Sequence, residues 1–184
     1  MIGLLGGTFN PPHNGHVALA RETVEQFGLE ELVVLVAARP GHKDVDLDAQ
    51  TRLRLARAAF PDREVLLDEH ERTVDTLADG PWRDPLFVIG ADEFCDFLDW
   101  KDPEGVLARA RLAVATRPGY PRERLDSVLE RLSRPERVLF FEIEPLPISS
   151  RDLRERVGRG EPIDAFVPPA VGDVIREEGL YRDA

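Results

Sequence analysis

The chain of 184 residues carries 24 basic and 35 acidic residues, for a formal net charge of −11. Its hydrophobic fraction of 42% suffices for one core, so we expect residues 1–184 to form a single domain. A surface this acidic disfavours nucleic acid and anionic membranes as partners, and the single cysteine, Cys95, excludes an internal disulfide or a cysteine-rich metal site.

Short apolar runs alternate with segments of helical period along the chain. The first run has no basic residue and is too short for a signal peptide or a membrane span, which favours a cytoplasmic protein. The runs are continuous, as expected for strands covered on both faces; they are Ile2–Leu5, Leu32–Val36, Val65–Leu67, Leu86–Ile89, Leu112–Ala115 and Val138–Phe141. This alternation predicts a doubly wound, Rossmann-like parallel α/β sheet, whose ligands bind beyond the carboxyl ends of the strands.

Amphipathic stripes predict helices between these runs. A glycine after the first stripe and Pro168-Pro169 before the last are typical of a helix end and a helix start. The stripes are Val17, Ala20, Val24 and Phe27, followed by Gly28; Leu53, Ala56 and Phe60; Leu125, Val128, Leu129 and Leu132; and Val171, Val174 and Ile175.

The loop after the first strand has the features of a phosphate site. Gly6-Gly7 allows a tight turn and a close approach of the backbone to a ligand, and Pro11-Pro12 stiffens the loop. Gly15 then opens a helix, whose N-terminus offers free N–H groups and a partial positive charge. His13 and His16 add two donors at the same place. The loop fits neither of the two common phosphate-loop patterns, G-x-G-x-x-G and G-x-x-x-x-G-K-[ST].

This first motif carries a resemblance to a known family. His13-Asn14-Gly15-His16 resembles the H-x-G-H signature of the nucleotidyltransferase superfamily, which includes the class I aminoacyl-tRNA synthetases. The whole string from Gly6 to His16 resembles the bacterial nicotinate-nucleotide adenylyltransferases, and phosphopantetheine adenylyltransferases have a similar loop. The resemblance implies an acceptor contact at Asn10 and ATP contacts at Gly6, Gly7, Thr8, Phe9, Gly15 and His16.

A second motif near the C-terminus is similar to the family's I-S-S-T-x-I-R signature. It reads Ile148-Ser149-Ser150-Arg151-Asp152-Leu153-Arg154. Ser149 or Ser150 would cap a helix, and Arg154 would add charge-assisted bonds to phosphate, each worth about 1.5–3 kcal/mol. Arg151 stands where the family has threonine, so a hydroxyl contact is lost and a cation is gained. The resemblance implies ATP contacts at Ile148, Ser149, Ser150 and Arg154.

Further segments resemble the family between the two motifs. Pro40-Gly41-His42-Lys43 resembles a P-x-H-K loop, which implies that Lys43 reaches the substrate phosphates. Thr73–Leu77 resembles a T-x-D-T-L segment near the pyridine nucleotide, and Leu98–Lys101 an L-x-x-W segment whose tryptophan lies against the pyridine ring. The implied acceptor contacts are Asn10, Lys43, Thr76, Asp92 and Trp100. The resemblance extends from residue 1 to about residue 181 and is weakest over Leu66–Pro85.

The reaction implied by the resemblance joins ATP and nicotinate mononucleotide into deamido-NAD and pyrophosphate. Its nucleophile is a phosphate oxygen that is already ionised at neutral pH, so positioning and charge neutralisation carry the catalysis. The residues expected to do so are His13, His16, Lys43 and Arg154, with His16 at the α- and β-phosphates. Mg²⁺ is expected, held mainly by triphosphate oxygens and water; no cluster in the sequence resembles a metal cage.

Several alternatives stay open at this point. Nicotinamide mononucleotide or phosphopantetheine could be the acceptor, and CTP the donor. The nicotinate carboxylate favours N–H donors near Thr76 and Trp100, whereas Asp99 and Asp102 would repel it. A non-catalytic nucleotide-binding module would bind ATP without turnover, but the two histidines and Arg154 argue against it. The sequence leaves the oligomeric state open, including a homo-oligomer.

Overall fold

Six parallel strands form one sheet at the centre of the fold. The computed structural model describes residues 1–40, 45, 47–144 and 146–182. The strands are β1 (Ile2–Gly7), β2 (Glu31–Ala37), β3 (Glu64–Asp68), β4 (Leu86–Gly90), β5 (Arg111–Thr116) and β6 (Val138–Glu142), in the order β3-β2-β1-β4-β5-β6. Every predicted apolar run is a strand, and the predicted doubly wound parallel sheet is confirmed. The order reverses between β1 and β4, which is where such sheets form a ligand crevice.

Eight α-helices flank the sheet in the described part of the chain. They are α1 (Asn14–Phe27), α2 (Ala49–Ala59), α3 (Thr73–Asp79), α4 (Ala91–Cys95), α5 (Pro103–Arg109), α6 (Arg122–Leu129), α7 (Ser150–Gly158) and α8 (Pro169–Glu178), with 3₁₀ turns at Phe97–Asp99 and Pro135–Arg137. Each of the four predicted stripes falls on a helix, except for Phe60, which is the C-cap residue of α2, and Leu132. Gly28 ends α1 with φ 59°, a left-handed conformation that suits glycine. Leu132 lies beyond the end of α6, although it is buried in the same core as the rest of its stripe.

Each face of the sheet has its own apolar core, because successive side chains of a strand point to opposite faces. Leu5 and Val34 lie in the core shared with α1, α2, α7 and α8. Leu4 and Val33 lie in the core shared with α3, α4, α5 and α6. Burial on both faces is the reason that the strands appear in the sequence as continuous apolar runs.

The carboxyl ends of β1, β2 and β4 meet at one edge of the sheet, as the parallel topology requires. The helices that follow these strands therefore begin at the same edge, and so does the first motif. None of the helices that the structure describes is long and apolar enough to cross a membrane.

Candidate active site

The two histidines of the first motif cap α1. His13 is the N-cap residue, and its Nδ1 accepts a hydrogen bond from the backbone N–H of Gly15 at 3.1 Å. The backbone N–H of His13 in turn donates to Nδ1 of His16 at 3.2 Å. This reciprocal arrangement is a capping box with histidine in both positions, where serine and glutamate are usual. The ring centroids lie 3.8 Å apart, so the pair forms one unit at the helix start.

These hydrogen bonds fix the proton on each ring. Because Nδ1 accepts in both histidines, a neutral ring carries its proton on Nε2 and can donate from there. Burial lowers the pKa of His13 to about 4, so this ring is neutral at pH 7. His13 therefore offers an N–H donor without a charge.

The glycines of the motif leave room for the aromatic rings. A Cβ atom on Gly15 would lie 2.9 Å from the ring of His13, and one on Gly7 would lie 2.8 Å from the ring of Phe9. Phe9 is buried in a left-handed conformation (φ 51°), and its ring packs edge-on against His16. The glycines thus permit the packing that orients both histidines.

The second motif is bonded directly to the first. The Ser150 hydroxyl donates to the carbonyl of Pro11 at 2.7 Å, and Nη1 of Arg154 donates to the carbonyl of Asn10 at 2.8 Å. Ser149 caps α7 by accepting from the N–H of Asp152 at 3.1 Å. The sequence predicted the cap and the proximity of the motifs. It did not predict that the Ser150 hydroxyl, expected to face phosphate, would bind the protein's own backbone.

Two other members of the second motif are placed differently from each other. Ile148 lies beside Gly15, where its side chain borders the start of α1. The Arg151 side chain is 80% exposed and pairs with Glu155 at 2.9 Å on the outer face of α7. The cation that replaces the family's threonine therefore points away from the first motif.

A cavity of about 420 Å³ lies beside the first motif. Trp100 forms an aromatic wall, with its ring edge-on to Phe87 and Phe97. Its lining comprises Gly6, Gly7, Thr8, Leu35, Ala37, Pro40, Asp68, His70, Glu71, Arg72, Thr73, Phe87, Val88, Ile89, Glu93, Asp96, Asp99, Trp100 and Lys101. The predicted residues Gly6, Gly7, Thr8 and Trp100 are thus brought together around one space.

Other predicted acceptor residues lie elsewhere. Thr76 is only 4% exposed; its hydroxyl donates to Asp68 at 2.7 Å and its N–H to the carbonyl of Arg72, so it supports the wall from behind. Thr73, one turn earlier, lines the cavity instead. Asp92 is outside the described lining and accepts from the Tyr120 hydroxyl at 2.8 Å. Lys43 lies outside the described residues.

The acids near Trp100 separate into two kinds. Asp99 lines the cavity, as its position beside the tryptophan suggests. Asp102 caps α5, accepting from the N–H of Gly105 at 2.9 Å, and is outside the described lining. One of the two carboxylates expected to repel an acidic ring substituent therefore has a structural role.

A second cavity, of about 490 Å³, adjoins the other end of the first motif. It lies between the outer face of α1 and the chain that leads from β6 to the second motif. Its lining comprises Asn14, Val17, Ala18, Arg21, Glu22, Pro118, Glu142, Ile143, Glu144 and Leu146. The first motif thus separates two spaces, each large enough for part of a nucleotide.

Three residues that contact the site were not among the site residues predicted from the sequence. Arg52 of α2 is 1% exposed and donates to the carbonyls of Leu47, Thr8, Ala37 and Ala38. Tyr181 donates to Oδ1 of Asn10 at 2.8 Å. For Arg52 a signal existed: it precedes Ala56 by one helical turn, on the apolar stripe of α2.

His70 is the third unpredicted residue, in the wall of the cavity beside Trp100. Its Nδ1 lies 3.0 Å from Asp68 and its Nε2 lies 3.0 Å from Asp79. The hydrogen bond to Asp68, and then that to Asp79, raise the pKa of His70 above its ordinary value. No signal in the sequence marked this residue, because Asp79 is brought to it by α3.

The described residues were also considered as ligands for a metal ion. Within residues 1–40, 45, 47–144 and 146–182, no three His, Cys, Asp or Glu side chains converge on a point where a metal ion could bind.

Comparison with known proteins gives a consistent result. A family model described as cytidylyltransferase-like matches residues 4–156. The protein named probable nicotinate-nucleotide adenylyltransferase of Moorella thermoacetica is 37% identical, over 98% of this chain and 91% of its own length. Proteins of the same name from Thermus thermophilus and Bordetella avium are 36% and 34% identical, over 98% and 100% of this chain and 99% and 98% of their own lengths.

Solved structures share the fold. The Plasmodium falciparum nicotinic acid mononucleotide adenylyltransferase complexed with NaAD superposes with a TM-score of 0.79 at 18% identity, covering 100% of this chain and 98% of that one. The same protein complexed with APC gives a TM-score of 0.77 over the same shares.

Replacement of Gly15 tests the packing of the histidine pair. In Gly15→Ala the new methyl group would overlap the His13 ring, so we expect the pair to shift and the affinity for ATP to fall about tenfold or more. Calorimetric titration with ATP measures this. Gly172→Ala is the control, because its methyl group would meet the flexible end of Arg176 and, at an ordinary van der Waals distance, Val167; equal affinities in both variants would contradict the argument.

The two perturbed histidines should give opposite pH dependences of stability. The pKa of His13 is lowered from 6.5 to about 4, so its contribution is complete above pH 6.5 and is lost as the pH falls toward 4. The pKa of His70 is raised, so its contribution is complete below pH 6.5 and is lost as the pH rises through the raised value.

Urea unfolding of His13→Gln and His70→Gln measures both effects. Between about pH 7 and pH 5, His13→Gln should lose about 2 kcal/mol less unfolding free energy than the wild type. As the pH rises from about 6.5 through the raised pKa of His70, the unfolding free energy of His70→Gln should fall less than that of the wild type. Parallel curves for all three proteins would show that neither histidine is linked to folding in this way.

Proposed function

This chain belongs to the cytidylyltransferase-like family and, over nearly its full length, to the nicotinate-nucleotide adenylyltransferases, and from this premise we propose its reaction and the roles of its residues. A single domain transfers the adenylyl group of ATP to nicotinate mononucleotide, giving deamido-NAD and pyrophosphate. The observation that carries this assignment is the direct bonding of the two phosphate motifs beside a cavity with an aromatic wall.

The first cavity receives the acceptor nucleotide. A flat pyridine ring fits against the indole of Trp100, where aromatic stacking contributes beyond simple burial. The acceptor phosphate then lies toward Gly6, Gly7 and Thr8, whose backbone can approach it closely. Arg72 and Lys101 line the same wall and can pair with an acidic ring substituent. Lys101 also binds Asp75, and five carboxylates share the lining, so this pairing depends on where the ring is placed.

The second cavity receives the adenosine of ATP. Its wall contains the carboxylates of Glu22, Glu142 and Glu144, which would repel phosphate but can accept hydrogen bonds from ribose hydroxyls and an exocyclic amine. ATP bound there would reach the first motif at Asn14, from the side opposite the acceptor. The α-phosphorus would then lie between the two cavities, as in-line attack requires.

Bond making and breaking at phosphorus need no general base. An ionised phosphate oxygen of nicotinate mononucleotide attacks the α-phosphorus of ATP, and the bond to the bridging oxygen breaks, so that pyrophosphate leaves with the electron pair. Nε2–H of His16 donates to the α- and β-phosphate oxygens, and Nε2–H of His13 to neighbouring oxygens. Lys43 and Arg154 contribute positive charge to the transition state and the leaving group.

Donor geometry is set before the substrates arrive. Nδ1 of each histidine is held by the backbone, and Arg154 is anchored on the carbonyl of Asn10. Fixed donors of this kind need no reorganisation during the reaction, which is the main source of electrostatic catalysis. The low pKa of His13 keeps it a neutral donor, so the cationic contribution comes from Arg154 and Lys43.

We expect the reaction to need a divalent cation, Mg²⁺, which would enter the site bound to ATP. Triphosphate oxygens and water would hold it. When bound, it neutralises negative charge on the leaving pyrophosphate.

A pyrophosphate-release assay tests the function. The wild type should release pyrophosphate with ATP and nicotinate mononucleotide, and more slowly with nicotinamide mononucleotide, phosphopantetheine, or CTP in place of ATP. His16→Ala should lower kcat/KM by at least about 100-fold, as expected for the loss of one transition-state donor. Release with none of the acceptors would favour a non-catalytic nucleotide-binding module, and an unchanged rate in His16→Ala would reject the role of that residue.

Trp100 should report acceptor binding. The chain has two tryptophans, so in a Trp82→Phe background nicotinate mononucleotide should quench the fluorescence of Trp100. Trp100→Ala should raise KM for this acceptor by about tenfold or more, on the scale of one lost base–aromatic stack, and leave KM for ATP unchanged. Trp82→Phe alone is the kinetic control, and an equal rise of both KM values in Trp100→Ala would place the ring's role outside acceptor binding.

A further inference from the structure

Arg52 has more polar contacts than its place in the fold requires. It lies on the apolar stripe of α2, where Ala56 and Ala59 pack into the core, and is itself 1% exposed. Burial of a guanidinium is costly, and it lowers the pKa of Arg52, although arginine stays protonated. An apolar side chain would serve the packing of α2 equally well. The charge therefore needs a reason beyond the stability of the core.

All four acceptors of Arg52 are main-chain carbonyls at the edge of the site. Nη1 donates to Thr8 at 3.1 Å and to Ala37 at 2.6 Å. Nη2 donates to Ala38 at 3.0 Å, and Nε to Leu47 at 3.2 Å. Thr8 and Ala37 both line the acceptor cavity. One side chain thus joins the end of β1, the end of β2 and both ends of the segment from Ala38 to Leu47.

We propose that Arg52 is a positioning residue for the acceptor. It sets the distance between the β1 and β2 walls of the cavity and holds the carbonyls of Ala38 and Leu47, an arrangement that we call the clasp. This inference rests on the proposed function, because it assigns the cavity to the acceptor.

The contact with Thr8 also orients a donor. In a planar trans peptide the C=O and the following N–H point in opposite directions. A Thr8 carbonyl held toward Arg52 therefore turns the N–H of Phe9 away from it. If this carbonyl were released, the peptide could rotate and redirect an N–H group within the phosphate-binding motif.

Lysine cannot reproduce this arrangement. The guanidinium presents donors on three nitrogens in a rigid fork, and here every nitrogen is used. An ammonium group on a flexible chain keeps the charge but would reach only part of the acceptor set. Arg52→Lys therefore separates the geometry of the clasp from its charge.

Steady-state kinetics of Arg52→Lys and Arg52→Met test the proposal. We expect KM for nicotinate mononucleotide to rise about tenfold or more, and KM for ATP to change less than about threefold. Arg54→Lys and Arg54→Met are matched controls on the same helix, because Arg54 is half-exposed and binds Glu178 and the Thr51 hydroxyl, which lie outside the described cavity lining. Both controls should keep wild-type KM values.

Hydrogen exchange supplies a readout that does not depend on turnover. The amides of residues 7–9 and 37–39 should exchange faster in Arg52→Lys than in the wild type or Arg54→Lys, while those of β5 stay unchanged. Addition of guanidinium ion at a few millimolar should restore part of the acceptor affinity to Arg52→Ala, since it can occupy the vacated site.

The possible results distinguish a failure of the positioning role of Arg52 from a failure of the proposed function. Unchanged KM values, or equal rises for ATP and acceptor that match a general loss of stability, would overturn the positioning role. If Arg52→Met and Arg52→Ala fail to fold, Arg52→Lys decides alone. A wild type that is inactive with every acceptor would reject the proposed function instead. In that case, wild-type rates of amide hydrogen exchange in Arg52→Lys would still reject the clasp, because this measurement does not depend on enzyme activity.

Discussion

The site depends on one constraint, which is that the buried backbone carbonyls of the loop after β1 must find hydrogen-bond donors. A buried carbonyl without a donor costs about 1–3 kcal/mol, and this loop turns three carbonyls toward the protein. Arg52 binds Thr8, Arg154 binds Asn10 and Ser150 binds Pro11. The donors come from two helices nearly 100 residues apart in sequence, so the loop is held only when the whole domain is folded.

In the proposed reaction, the other side of the same loop faces the substrates. Because the carbonyls of the loop bind donors of the protein, its N–H groups and the two histidines can serve the substrates. Such donors suit a reaction between two anions. The capping box adds to this order, because Nδ1 of His13 and of His16 accept hydrogen bonds, which places the proton of each neutral ring on Nε2. A chemistry that needs no base, only fixed donors and charge, matches what the loop can supply.

The elements with a strong local pattern could be predicted, and the partners of polar side chains could not. The six apolar runs and the Gly28 helix end depend on local sequence and on burial of both sheet faces, and they agree with the structure. Ser150 fits the family pattern for a phosphate contact, but its hydroxyl meets Pro11. Thr76 was expected at the acceptor, yet α3 turns it toward Asp68, and Thr73 lines the cavity.

The sequence by itself determined the sheet, its helices and the position of the two motifs that resemble the family's signatures, because periodicity and glycine, proline and histidine spacing are local properties of the chain. Only the tertiary structure decided which donors hold the first motif. Arg52 and Tyr181 meet it across distances of 44 and 171 residues, and no local pattern specifies such a pairing. The motif that opens the chain is therefore recognisable from its own residues, while its shape is set by side chains from the rest of the fold.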